Sequence, residues 1–140
     1  MPRFTDPRKL ERYLKKALDA QVAETLITVQ EELGSPKVSP VDTGRFLSNW
    51  FAAEGVASTQ TTEATNSPQT DARGLRVDSR KEYHLTNSLP YAQKIAIEGK
   101  TNPGKNQKSK PSTWFVDFRS SRIPKIGDEA GRQIKQEFDL

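Results

Sequence analysis

The chain has 140 residues, the size of one domain, since single domains cluster at roughly 100–150 residues. Only 33% of its residues are hydrophobic and 29% are charged, so it can bury a modest core, and a chain of this kind can gain stability from neighbours that cover surface a small core leaves exposed. It contains no cysteine, which excludes disulfide frameworks, thiolate zinc sites and cysteine nucleophiles. Net charge is +4, with 18 acidic residues interspersed, so the placement of the basic residues matters more than their number. No apolar run near Met1 has the character of a signal peptide, and none approaches the ~20 residues of a membrane span. The expectation is a protein made and kept in a cytoplasm, without membrane contact.

Asp6 suits an N-cap and Pro7 the first helical position. Leu10, Leu14, Leu18, Val22, Leu26, Val29 and Leu33 then recur at spacings of three and four, which predicts one long helix over 6–33, ended by Gly34 and Pro36. Residues 39–50 follow a short proline-bounded linker; Asp42 there can cap a short helix carrying Phe46, Leu47 and Trp50 on one face. A strand begins at Trp50. Ser58 to Ala72 is Ser-, Thr-, Gln- and Asn-rich without a basic residue, and reads as a mobile loop at a hairpin tip. A second strand is expected over 75–86. Ser88 is placed to cap a helix from Tyr91 to Glu98, closed by Gly99. Residues 100–111 form a lysine-rich loop, and a last helix runs over 124–138 on Ile126, Ala130, Ile134 and Phe138. The sum is one α+β domain, 1–140: a long N-terminal and a C-terminal helix packed on a small antiparallel sheet with long polar loops.

Two stretches carry a resemblance. Ser39-Pro40-Val41-Asp42-Thr43-Gly44-Arg45, running on to Ser48-Asn49-Trp50, resembles a "P-V-D-T-G-R … N-W" segment. Leu85-Thr86-Asn87-Ser88-Leu89-Pro90-Tyr91-Ala92, with Ile95, Glu98 and Gly99, resembles "L-T-N-x-L-P-Y-A … I-E-x-G". Both belong, in this order, to a family of tailed-bacteriophage neck and tail-completion proteins. The family often continues with a short "Q-A-P-x-G" segment, where this chain has the longer Lys100 to Pro111. The resemblance implies a structural virion protein without enzymatic activity or cofactor. It implies a homo-oligomeric ring, of six copies, at the head–tail junction or tail top. Its partners would be other neck and tail proteins, with genomic DNA passing through the lumen.

Other readings of single residues are weaker. Asp42 and Arg45 fit a cap and a salt bridge better than a catalytic pair; Asp42-Thr43-Gly44 matches the aspartic-protease triplet, but that chemistry needs two converging aspartates. His84 is the only histidine, with no nucleophile elbow beside it. One histidine and no cysteine leave no metal-ligand pattern. Across 100–125, seven basic side chains (Lys100, Lys105, Lys108, Lys110, Arg119, Arg122, Lys125) face one acid, Asp117. Lys105, Lys108 and Lys110 are therefore candidates for facing DNA, and a small basic nucleic-acid-binding protein is the alternative function. Trp114, Phe115 and Phe118 are candidates for a subunit interface on density of aromatics alone.

Overall fold

The computed structural model of the chain describes residues 2–41, 44–99 and 110–140. Helix α1 spans Pro7–Leu33 and starts as its sequence predicts: Asp6 Oδ1 accepts a hydrogen bond from the Arg8 amide at 2.9 Å. Its predicted stripe, however, is split. Leu26, Val29 and Leu33 are buried, whereas Leu14 and Leu18 are 39% and 53% exposed. The reason lies in the last helix, α4 (Ile123–Glu137). It runs antiparallel to α1, so that Tyr13 meets Phe138 and Glu32 meets Arg122. The approach is made on small residues. Ala17 is buried, Gln21 Nε2 donates to Gly127 O at 3.3 Å, and a Cβ on Gly131 would stand 2.8 Å from that same nitrogen. Close helix contact there turns the leucines at 14 and 18 outward.

Strands β1 (Trp50–Glu54) and β2 (Tyr83–Asn87) pair antiparallel, with Trp50 opposite Asn87 and Ala52 opposite Leu85. The second strand is shorter than the expected 75–86 because β1 ends at Glu54, before Gly55 at a φ of 77°, and leaves residues 75–81 nothing to pair with. On the far edge of β1, side chains take the place of a strand. Asp71 accepts the Ala52 amide through both carboxylate oxygens at 3.2 Å. Gln30, buried in α1, donates to Trp50 O and accepts from the Ala72 amide, each at 3.0 Å. Residues 71–74 consequently form a 3₁₀ turn, and Leu75 and Val77 pack against Leu26 and Ala72 without joining the sheet.

The 58–72 segment also departs from expectation: it lies against the protein instead of projecting as a hairpin tip. Ser58 O accepts from Thr86 Oγ1 (3.0 Å) and Ser88 Oγ (2.8 Å), so Ser88 does not cap the following helix. That helix, α2 (Ala92–Glu98), has no side-chain cap. The tail is helical earlier than 124. Helix α3 (Trp114–Asp117) runs through a π-helical turn at Phe118–Arg122 into α4. Two causes coincide there. Pro124 has no amide to give Ser120 O, and eight regular helical residues from Phe118 to Ile126 would overshoot two turns by about 80°. The wider turn lets both be buried.

The core joins all these elements: Val29, Leu33, Phe46, Trp50, Leu89, Ile95, Trp114, Phe118 and Ile126 form one cluster. Leu85 packs against both this cluster and the smaller one around Leu26, Ala52 and Ala72.

Two predictions follow from the polar ties. Gln30→Ala strands a buried carbonyl and a buried amide, and is expected to cost about 2–4 kcal/mol, read from urea unfolding. The second concerns the turn at 78–80, which is tied to α1 by charge. Asp19 accepts from Lys15 and from the Ser79 amide, both at 2.8 Å. Lys15 holds its carboxyl below the ordinary range; Arg80, chiefly, does the same for Asp78. Groups with depressed folded values stabilise above their unfolded pKa of about 4 and lose that contribution as pH falls through the folded values. Stability measured from about pH 5 down to pH 2 should therefore fall less steeply in an Asp19→Asn/Asp78→Asn variant than in the parent.

Candidate functional site

The two stretches carrying the resemblance meet in space. Asn87 Nδ2 donates to Phe46 O at 2.9 Å, beside the Trp50–Asn87 strand pair. The Phe46 ring packs edge-on against Trp50 at 5.5 Å and Trp114 at 6.1 Å, and Leu89 joins the same cluster. Asn49, fully buried, donates to Arg45 O (2.7 Å) and Thr62 O (3.1 Å) and accepts from the Thr62 amide (2.8 Å). Arg45 reaches Thr62 O and the Glu63 carboxylate. Gly44 has a φ of 87°, and a Cβ there would collide with Asn66. Gly99 has a φ of 72°, and a Cβ there would collide with Lys110 O. Both glycines thus combine a left-handed backbone with close chain passage. The motif residues Gly44, Arg45, Trp50, Asn87 and Gly99 form the scaffold that holds the 58–72 and 110–118 segments in place. Pro90 and Tyr91 lie exposed at the entry to α2, and Glu98 is exposed at its end. Asp42 and Thr43 lie outside the described residues.

The other candidates divide. Trp114 and Phe118 are 7% and 6% exposed, and the Trp114 indole donates to Ile95 O at 3.0 Å. Both belong to the chain's own core, so neither presents area to a second subunit. Phe115 is half-buried, stacked on Trp50 at 6.0 Å, with the Arg119 guanidinium 5.9 Å above its ring. Lys105 and Lys108 lie outside the described residues. Lys110 Nζ donates to Lys37 O at 3.1 Å. Arg122 forms a two-pronged pair with Glu32 (2.8 and 2.7 Å) and a further contact to Glu129; Glu32 raises its pKa still further above the ordinary value. Lys110, the described member of the three residues counted as DNA-facing, and Arg122, another of the seven basic residues in 100–125, are therefore tied within the protein. His84 lies 3.2 Å from Gly55 O. No group of three His, Asp or Glu residues able to hold a metal occurs among the described residues, and no helix among them is long and apolar enough to cross a membrane.

Two surface features were not visible in the sequence. A groove of about 580 Å³ lies over α1, between β2 and the helical run from Phe115 to Ile123. Val22, Leu26, Val29 and Trp50 line it, with Tyr83 and Leu85 on one wall and Phe118 and Arg119 on the other. The Trp50 indole Nε1 is buried without an acceptor among the described residues. A second hollow of about 410 Å³ continues along α1 at Leu14, Ala17, Leu18 and Gln21, closed by Ile134 and Leu140. The leucine stripe announced an apolar face; only the position of α4 shows which part stays open.

No protein-family model, curated protein or solved structure matches the chain.

The two motif glycines give a direct test of the scaffold. Gly55 also has a positive φ (77°) but open space around it, so Gly55→Ala is expected to cost only the conformational penalty, about 1–2 kcal/mol. Gly44→Ala and Gly99→Ala should each lower unfolding stability by clearly more, because the added methyl also displaces the neighbouring backbone or amide.

Proposed function

We propose that the protein is an architectural subunit, one that acts by its shape and contacts and makes or breaks no covalent bond. The particular reading is a ring component at the neck or tail top of a tailed bacteriophage, partnered by copies of itself and by other neck and tail proteins. The observation that carries it is the meeting of the two resembling stretches. Thirty-four residues separate Asn49-Trp50 from Leu85 in sequence, yet the stretches build one scaffold through Asn87, Phe46, Trp50 and Leu89.

The exposed leucines supply the second support. Leu14 and Leu18 on α1 and Leu140 beside them form an apolar surface. Burying such a surface between subunits releases about 25 cal/mol for every Å² of apolar area removed from water. A heterologous contact repeated around an axis closes a ring.

Negative-stain electron microscopy of the purified chain, alone and mixed with phage tail tubes, tests this reading. Rings, or caps on tube ends, are the expected result, and a Leu14→Asp/Leu18→Asp variant should abolish them while keeping its circular dichroism and melting temperature. A chain that stays monomeric at high concentration and ignores tubes would overturn the proposal.

A further inference from the structure

The two-stranded sheet has an open edge. The Gly55 amide donates to Glu82 O at 2.9 Å, while the Ala52 amide turns away from β2 to Asp71. With the register of Trp50 opposite Asn87, this fixes which residues exchange backbone bonds: His84 and Thr86 point their amides and carbonyls at β1, and Tyr83, Leu85 and Asn87 point theirs away from it. Among the described residues nothing bonds to the backbone amide or carbonyl of Tyr83 or Leu85. A row of unpaired backbone groups of this kind is a template for another strand, and β2 carries no proline or lysine within it to block one. The edge opens onto the apolar groove over α1, about 580 Å³ in volume, which Tyr83 and Leu85 of β2 help to line.

We propose that this groove is a docking site for an extended segment of a partner protein, which joins β2 as a third strand. Its alternate apolar side chains rest on Val22, Leu26 and Trp50, and a carboxylate on it meets Arg119. The backbone edge requires an extended chain, because a helix satisfies its own amides and would leave those of β2 unmet. The charge follows from the far wall. Arg119 is exposed, sits over Phe115, and forms no ion pair among the described residues. At the near rim Lys81 is already paired with Glu54 at 2.9 Å and the exposed Glu82 carboxylate lies 3.7 Å from His84, so the partner's carboxylate is placed at the far wall. The partner is a different protein on the following ground. Outside the helices, the large hydrophobic residues this chain exposes among its described residues are Val56, Tyr91 and Leu140. They lie far apart in sequence, so no described segment offers the alternating apolar strand the groove takes. This inference stands on the groove and the edge alone, whether or not the chain closes into a ring.

The test is an amide NMR titration of the intact chain with a synthetic peptide, acetyl-Thr-Val-Thr-Val-Glu-Val-Thr-amide, to millimolar concentration. Binding should shift the amides of Tyr83, Leu85 and Asn87 and slow their exchange with solvent. N-methylation of alternate peptide amides should abolish binding in one of the two alternating sets and leave it in the other. Replacing the peptide glutamate by lysine should weaken binding at least tenfold, and Arg119→Glu should recover much of that loss. Absence of shifts at β2, or binding indifferent to which alternate amides are methylated, would overturn the proposal. So would the same shifts arising without peptide as the chain is concentrated, which would make the occupant a second copy. Ring formation is read separately from particle images, so failure here leaves that reading untouched.

Discussion

A helix of 27 residues is about 40 Å long, and a five-residue strand covers only about 17 Å. No two-stranded sheet can bury the face of such a helix, so the rest of the chain is arranged by how α1 is covered. The sheet and the 71–77 segment cover one side of its C-terminal half, and α4 with the turn before it runs along most of its length, from Tyr13 to Glu32. Between and beside these covers, α1 is left partly bare, and both grooves are places where it shows.

A chain with only 33% hydrophobic residues meets this demand with side-chain hydrogen bonds as much as with apolar packing. Gln30, Asn49, Asp71 and Asn87 each bond to backbone groups that a larger sheet would have satisfied by further strands. Such bonds fix position sharply, because a buried donor or acceptor left unmet costs about 1–3 kcal/mol. They also end the sheet. Gln30 and Asp71 close the outer side of β1 and nothing among the described residues closes the outer side of β2, so the asymmetry that completes the fold on one edge leaves it open on the other.

Local signals carried most of the architecture. The N-cap at Asp6, the spacing of apolar residues in α1 and α4, and Gly99 as a left-handed helix end all act within a few residues, and the α+β class follows from them. What was illegible depends on contacts between distant residues. Leucines at 14 and 18 fit the apolar period as well as those at 26 and 33; only the placement of the other elements along α1 decides which are covered. The 58–72 segment has the composition of a free loop, yet Asn49 and Ser48 hold it by bonds to its backbone. Three aromatic residues in five look alike as interface candidates, and the helix through 114–118 sends two of them into the core. The open edge of β2 had one sequence signal, the small number of strands, which leaves few partners for any of them.

Architecture and function connect through the same shortage of cover. A subunit whose longest helix keeps apolar surface at Leu14, Leu18 and Val22 is suited to being finished by other chains, and the motif residues Phe46, Trp50 and Leu89 pack against that helix at Val29 and Leu33. The most direct measurement is methyl NMR of the dilute, monomeric chain with a soluble paramagnetic probe, which relaxes methyl groups in reach of solvent. The account predicts strong relaxation at Leu14 and Leu18 and little at Leu33 and Ile126. Leucine methyls at 14 and 18 as protected as those of the core would mean that the chain covers its own helix, and would contradict it.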